Sequence, residues 1–268
     1  MMIAIPLCCP FCGSTDVGKN GHSANGKQRY LCHNSECSHK TFYDAYTYNA
    51  YKPEVKTGIV QWSVDGAGIR AIARRLKVST DTVIAELKKK EHSLSHINKE
   101  YFAGHSSIKI RIEMDEMWSF YGDKEHQIWL WWAVDHDTGE VVAYWFGTRE
   151  HKNLDQLMAL LAPLNIGTVY TDGNYAYFDR YSAEVLVVSK KNTQKIERKH
   201  LSLRTWCSRL VRKGIRFSKT QQMHKIVIGL AINVWYFGYH WLIGQVSPLA
   251  GQLRRDFLTG HVDSFSCL

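Results

Sequence analysis

The fold hinges on Ile166-Gly167-Thr168-Val169-Tyr170-Thr171-Asp172-Gly173. The apolar run Ile166–Tyr170 reads as a short strand, and Asp-Gly marks where such a strand gives way to a loop. A carboxylate therefore stands at the strand's end. Twenty-five positions later comes Glu197, the only acidic residue in Lys190–Lys225, a segment with twelve Lys or Arg. A lone carboxylate in such surroundings suits a metal site that works on a polyanion.

Working outward, Ile108, Ile110, Ile112 and Met114 alternate with Lys109, Arg111, Glu113 and Asp115. That is the period-two signature of a half-buried strand, with Asp115 on its polar face near the end. Gln127–Asp135 and Glu140–Phe146 continue as strands around an Asp137-Thr138-Gly139 hairpin turn. Leu154, Leu157, Met158, Leu160 and Leu161 mark a helix ending at Pro163, Val185–Ser189 is a fifth strand, and a long basic helix runs through Glu197. A three-strand meander followed by helix–strand–helix–strand–helix predicts a ribonuclease-H-like α/β fold, a mixed sheet with helices on both faces.

Charge is unevenly spread over the 268 residues. Residues 105–189 are net −7, whereas Lys190–Lys225 is net +11 within a chain of net +9. An acidic middle followed by a basic strip is the expected layout of a metal site beside a nucleic-acid track. The Met1–Leu7 start lacks a basic n-region, and five of seven Cys lie between Cys8 and Cys37. Both features point to a reducing cytoplasm rather than a secreted disulfide scaffold. The uncharged run Ile226–Val246 holds Asn233, His240, Gln245 and three Gly, and reads as a buried helix, not a membrane span.

The N-terminal third holds two small modules. Cys9-Pro10-Phe11-Cys12 is a Cys-x2-Cys knuckle, followed by Cys32 and Cys37. Four thiolates from two turns suit structural Zn2+. Cys32 and Cys37 are separated by four residues rather than two, so His33 or His39 could replace one of them and Cys8 could compete with Cys9. After an aromatic linker, Tyr43–Tyr51, helices are expected over Val55–Ser63, Ile69–Leu76 and Thr80–Lys90, the last capped by Ser79. This is a helix-turn-helix pattern. It would present Ser79, Thr80, Asp81 and Thr82 to bases, and Arg74, Arg75 and Lys77 to phosphates. The expected division is 1–45, 54–92, a catalytic domain over 106–245, and a tail over 246–268.

Asp115, Asp172 and Glu197 form the candidate catalytic trio. Hard oxygen donors with open coordination suit two Mg2+ (or Mn2+) ions. Asp135 and Asp137 read as turn formers, and Glu116 as a solvated or supporting neighbour. Asp115-Glu116-Met117-Trp118-Ser119, Tyr170-Thr171-Asp172-Gly173, Ile196-Glu197-Arg198 and Leu201-x-Leu203-Arg204 resemble the DDE transposases of the insertion-sequence-1 family. The 24 residues between Asp172 and Glu197, and the basic Arg204 seven after the Glu, fit that pattern. The resemblance extends through the Cys-x2-Cys ribbon and the helix-turn-helix. It implies a transposase that binds terminal inverted repeats and target DNA as a homodimer or higher synaptic assembly, at the nucleoid and without a membrane. Arg204, Lys195 and Arg198 would hold the DNA backbone. The competing reading is a repressor of the element with an inactive catalytic domain, which predicts repeat binding without metal-dependent nicking. A ribonuclease acting on RNA–DNA hybrids would use similar chemistry but has no need of the helix-turn-helix.

Overall fold

A computed structural model describes residues 7–43, 48–105, 107–173, 177–211 and 213–244. The tail expected from 246 onward, and 44–47 of the linker, lie outside the described residues. The N-terminal module is a three-stranded antiparallel sheet of β1 (Val17–His22), β2 (Gln28–Cys32) and β3 (Thr41–Tyr43). Three helices follow: α1 (Pro53–Val64), α2 (Ile69–Leu76) and α3 (Thr80–Lys89). A short helix absent from the sequence reading, α4 (Lys99–His105), leads into the main sheet.

That sheet is built from β4 (Lys109–Tyr121), β5 (Asp123–Asp135), β6 (Val141–Gly147), β7 (Asn165–Thr171) and β8 (Leu186–Val188). Its order is β6-β5-β4-β7-β8. β4, β5 and β6 form an antiparallel meander, and β7 and β8 run parallel to β4. This is the expected ribonuclease-H-like mixed sheet. Between β6 and β7 runs α5 (His151–Leu161); α6 (Gln194–Trp206) and α7 (Gln221–Trp235) follow β8.

Each face of the sheet buries its own core. Ile110, Ile112, Met114 and Trp131 pack with Leu154, Leu157 and Leu161 of α5 and Tyr101 of α4. On the other face Met117, Leu130, Trp132 and Tyr144 pack with Ile196 and Leu203 of α6 and the apolar residues of α7. The second core also takes in Ile59, Val60 and Val64 of α1, Ile72 and Ala73 of α2, and Val83 and Leu87 of α3. The helix-turn-helix is therefore packed on the sheet through α7, not hung from it. From Ile226 to Trp235 helix α7 is buried on every side, which fits its lack of charge there. Among the described residues no helix is long and apolar enough to cross a membrane.

Two contacts in this shared core make sharp predictions. Gly66, in the α1–α2 turn, has φ +85°, and a Cβ there would lie 2.5 Å from the Trp206 carbonyl oxygen at the end of α6. Gly66→Ala should cost about 2–4 kcal/mol through left-handed strain plus backbone overlap, read as a lower urea midpoint. His224 of α7 is fully buried. Ser119 Oγ donates to Ile128 O at 3.0 Å, so it accepts from His224 Nε2 at 2.9 Å. His224 Nδ1 is left a buried lone pair with no partner. Burial, then Arg209 and Lys225, hold His224 down at about 3. Its contribution to stability is present above the unfolded-state value of ~6.5 and is lost as pH falls toward 3, because only the unfolded chain takes the proton. Unfolding free energy should drop by about 3 kcal/mol more between pH 7 and pH 4 in the wild type than in His224→Met.

Candidate active site

The register of β4 and β7 brings the first two acids together. Glu113 pairs with Tyr170, so Asp115 and Asp172, two residues further along each chain, come level on the same face. Strand β7 stops at Thr171, and Gly173 takes φ +98°, turning the chain away just past Asp172. Asp115 is not near a strand end as expected: β4 runs on to Tyr121, because its second half is held by β5. Asp115 is partly buried in mid-strand, while Asp172 and Glu197 are exposed.

Helix α6 lies over this face, and its Glu197 reaches the same locus. Burial first, then the carboxylates of Asp172, Glu116 and Glu197, push Asp115 up to about 8. The Glu116 amide, donating to Asp115 Oδ1 at 2.7 Å, works the other way. Carboxylates crowded to this degree are what a bound dication relieves, and an all-oxygen set suits Mg2+ or Mn2+. The three acids are not drawn into one tight knot. Among the described residues the only set of three or more potential ligand atoms mutually within 4.8 Å is a cysteine set. Separate binding of two ions ~4 Å apart does not require a tighter one.

His200, one turn after Glu197, is buried against Asp115. The Trp132 indole N–H donates to His200 Nε2 at 2.7 Å, and the two rings lie 4° from parallel. An indole can only donate, so Nε2 is an acceptor and the ring proton sits on Nδ1. Nδ1 faces Asp115 Oδ2 at 3.6 Å, just beyond hydrogen-bond length. Trp132 is the β5 partner of Asp115 in the ladder, so one sheet position supplies both the acid and the group that orients its histidine.

Several neighbours differ from expectation. Glu116 is not solvated. It points to the opposite face, buried, with Arg149 Nε donating to it at 3.0 Å and the Tyr177 hydroxyl at 3.4 Å. Lys195, read as a DNA contact, spends its ammonium on the carbonyls of His136 and Asp137 in the β5–β6 turn. Asp135 closes that turn as expected, accepting from the amides of Asp137 and Thr138 at 2.7 and 2.6 Å. Arg198 is exposed and Arg204 is half-buried. Trp131 and Trp132 are fully buried and belong to the two cores.

Sequence reasoning missed Glu113. It sits on what read as the solvated face of β4, yet it is 1% exposed. Its carboxylate accepts from the Ile196 amide at 2.9 Å and pairs with His136 Nδ1 at 2.8 Å. The signal available was its place two residues before Asp115, on the same side of the strand.

In the N-terminal module, Cys9 and Cys37 sulfurs are 3.7 Å apart and those of Cys12 and Cys32 3.6 Å, and all four lie within 4.8 Å of one another. A tetrahedron with Zn–S bonds of ~2.3 Å has edges of ~3.8 Å, so the set fits zinc. Cys8 is exposed, the His39 ring stacks on Phe11 at 4.0 Å, and His33 packs over Gly18. In the helix-turn-helix, Ser79 caps α3 by accepting from the Thr82 amide at 3.1 Å. Thr82 Oγ1 also meets Ser79 Oγ at 2.9 Å and the Tyr48 hydroxyl at 2.7 Å. Arg74, Arg75, Lys77 and Thr80 are exposed, and Lys77 takes the left-handed φ of 53° that ends α2.

Comparison with known proteins places these parts. The family described as IS1 transposase matches residues 108–238, the InsA C-terminal domain 46–91 and the InsA N-terminal domain 2–38. The insertion element iso-IS1n protein InsB of Shigella dysenteriae is 43% identical over 125 residues, 47% of this chain and 95% of that protein. The insertion element IS1 9 protein InsB of Escherichia coli (strain K12) is 40% identical over 132 residues, 49% of this chain and 79% of that protein. A chain in the crystal structure of a pre-cleavage Mos1 transpososome overlays 84% of this chain and 82% of its own, with 12% identity and a TM-score of 0.31, too distant to carry weight.

Proposed function

Because the chain belongs to the IS1 transposase family, we propose that it binds the terminal inverted repeats of its insertion element and catalyses metal-dependent DNA strand cleavage and strand transfer. The observation that carries this reading is the level placement of Asp115 in β4 and Asp172 just past the end of the adjacent parallel β7, beneath the helix that bears Glu197. These three residues would hold Mg2+ or Mn2+. When bound, two such ions activate a water or a 3′-hydroxyl and stabilise the departing oxygen at phosphorus.

The chain's own groups do the rest. His200 keeps its proton on Nδ1, toward Asp115, and so fixes that carboxylate's surroundings without competing for the metal. Arg198 and Arg204 extend from Glu197 along α6 toward the DNA backbone, where guanidinium groups displace counterions. Exposed Thr80 of α3 reads base edges, while Arg74, Arg75 and Lys77 meet phosphates. Ser79 and Thr82 shape the start of that helix as well as lining it. A structural Zn2+ on Cys9, Cys12, Cys32 and Cys37 holds the ribbon for a second DNA contact. Duplex DNA is the partner, engaged by a dimer or larger synaptic assembly at the nucleoid.

The deciding experiment incubates the chain with labelled DNA carrying the element's terminal repeats, with Mg2+ or Mn2+. Nicked ends followed by joined products are expected. Repeat binding with no metal-dependent nicking would favour the repressor reading and sink this one.

A further inference from the structure

We propose that Glu113 is a positioning residue for the cleavage reaction: its buried carboxylate docks the first turn of α6 on the sheet and so sets Glu197 against Asp115 and Asp172. The role rests on the transposase reading given above. Thr193 stands at the N-cap of α6 but makes no side-chain cap, its hydroxyl instead donating to Lys190 O at 3.2 Å. The orphan amide of Ile196, third in the helix, is taken by Glu113 from a strand 83 residues earlier, at 2.9 Å. A carboxylate there meets both an unpaired donor and the positive end of the helix dipole.

The dock sits one layer beneath the site. Glu113 lies two residues before Asp115, its ladder partner Tyr170 two before Asp172, and Ile196 one before Glu197. His136 ties the layer together, with Nδ1 2.8 Å from Glu113 and its ring 4.4 Å from that of Tyr170. Lys195 latches the same helical turn to the His136 and Asp137 carbonyls. With the Ile196 side chain fully buried as well, the first turn of α6 is held by its side chain, by an amide and by a neighbouring ammonium. Glu197 is the next residue along, and it inherits that placement.

The test compares Glu113→Gln, which keeps an oxygen acceptor, with Glu113→Met, which keeps volume and loses it. In Glu113→Met, amide exchange at Ile196 should quicken by at least about tenfold, and cleavage kcat should fall about 100-fold through misplacement. Repeat affinity should fall far less than cleavage, by at most about threefold, because α2, α3 and the ribbon are untouched and only the Arg198 and Arg204 contacts of α6 are loosened. Glu113→Gln should restore both exchange and kcat to near wild type. Wild-type cleavage by Glu113→Met would overturn the proposal. So would a Gln variant as inactive as Met, which would make the charge itself the requirement. Loss of repeat binding in step with cleavage would reduce the residue to general stability and overturn it too. If Glu113→Met does not fold, Glu113→Asp, whose carboxylate is one methylene short of the Ile196 amide, takes its place, and wild-type exchange and cleavage there would overturn the proposal. A wild-type chain that cleaves no repeat DNA with either metal would sink the transposase reading itself, whereas quickened exchange with intact cleavage would sink only the positioning role.

Discussion

Asp115→Asn, Asp172→Asn and Glu197→Gln should each lower metal-dependent strand cleavage by at least about 1,000-fold, since several kcal/mol of charge stabilisation at phosphorus go with the metal. Each substitution keeps the side chain's shape and removes the charge and one oxygen donor. Repeat binding should persist, because α2, α3 and the ribbon are untouched and the guanidinium groups of Arg198 and Arg204 stay in place on α6. The variants should also be as stable as the wild type, and Asp115→Asn more so without metal. Asp115 is lifted to about 8 by burial and by its acidic neighbours, so without metal the folded wild type must take up a proton there at neutral pH, a cost that the amide does not carry. Single-turnover cleavage of labelled repeat DNA beside a gel-shift titration reads both quantities. Full activity in any one variant would remove that residue from the site.

The second large effect is expected at the ribbon. Cys32→Ser, or zinc removal by a chelator, should unfold residues 7–43 and release one zinc per chain. Zinc binding in small thiolate modules supplies about 10–16 kcal/mol, and here little else could replace it. The module's buried core is Cys9, Cys32, Cys37 and Phe42, and three of those four are proposed ligands. The larger cores include no residue of the ribbon, so the cooperative unfolding of the sheet domain should be unchanged. Limited proteolysis mapped to the first 43 residues, with metal content by mass spectrometry, tests this. Cys8→Ser and His39→Ala should keep their zinc. A protease-resistant, zinc-loaded Cys32→Ser would exclude Cys32 as a ligand.

The order of the main strands and helices was legible because they carry a local period, which the short α4 does not. Ile108 to Met114 alternates, Ile69–Leu76 repeats at helical spacing, and Asp172-Gly173 ends β7 where the turn chemistry demands. What failed was the environment of polar residues inside those elements. Period alone sorts Glu113 and Glu116 to opposite faces of β4 but says nothing of what each one meets there. One docks a helix and the other holds Arg149 and Tyr177 on the opposite face, because β4 is central and covered on both sides. Lys195 looked like one more cation in a basic helix, yet the turn carbonyls beside it claim its ammonium. A buried polar group is explained only by its partner, and these partners lie far off in the chain.

Glu197 shows where that boundary falls. Its isolation among twelve basic residues, and its spacing from Asp172, could be read directly, since charge and spacing are properties of the chain. That it comes within electrostatic reach of Asp115 depends on things no local pattern encodes. The parallel register of β4 and β7 levels the two aspartates, and a buried carboxylate 83 residues before Ile196 seats the helix. Periodicity reports which side of an element faces inward. Which residues then meet is set by long-range hydrogen bonds and packing, and those form only when the sheet and its helices close together.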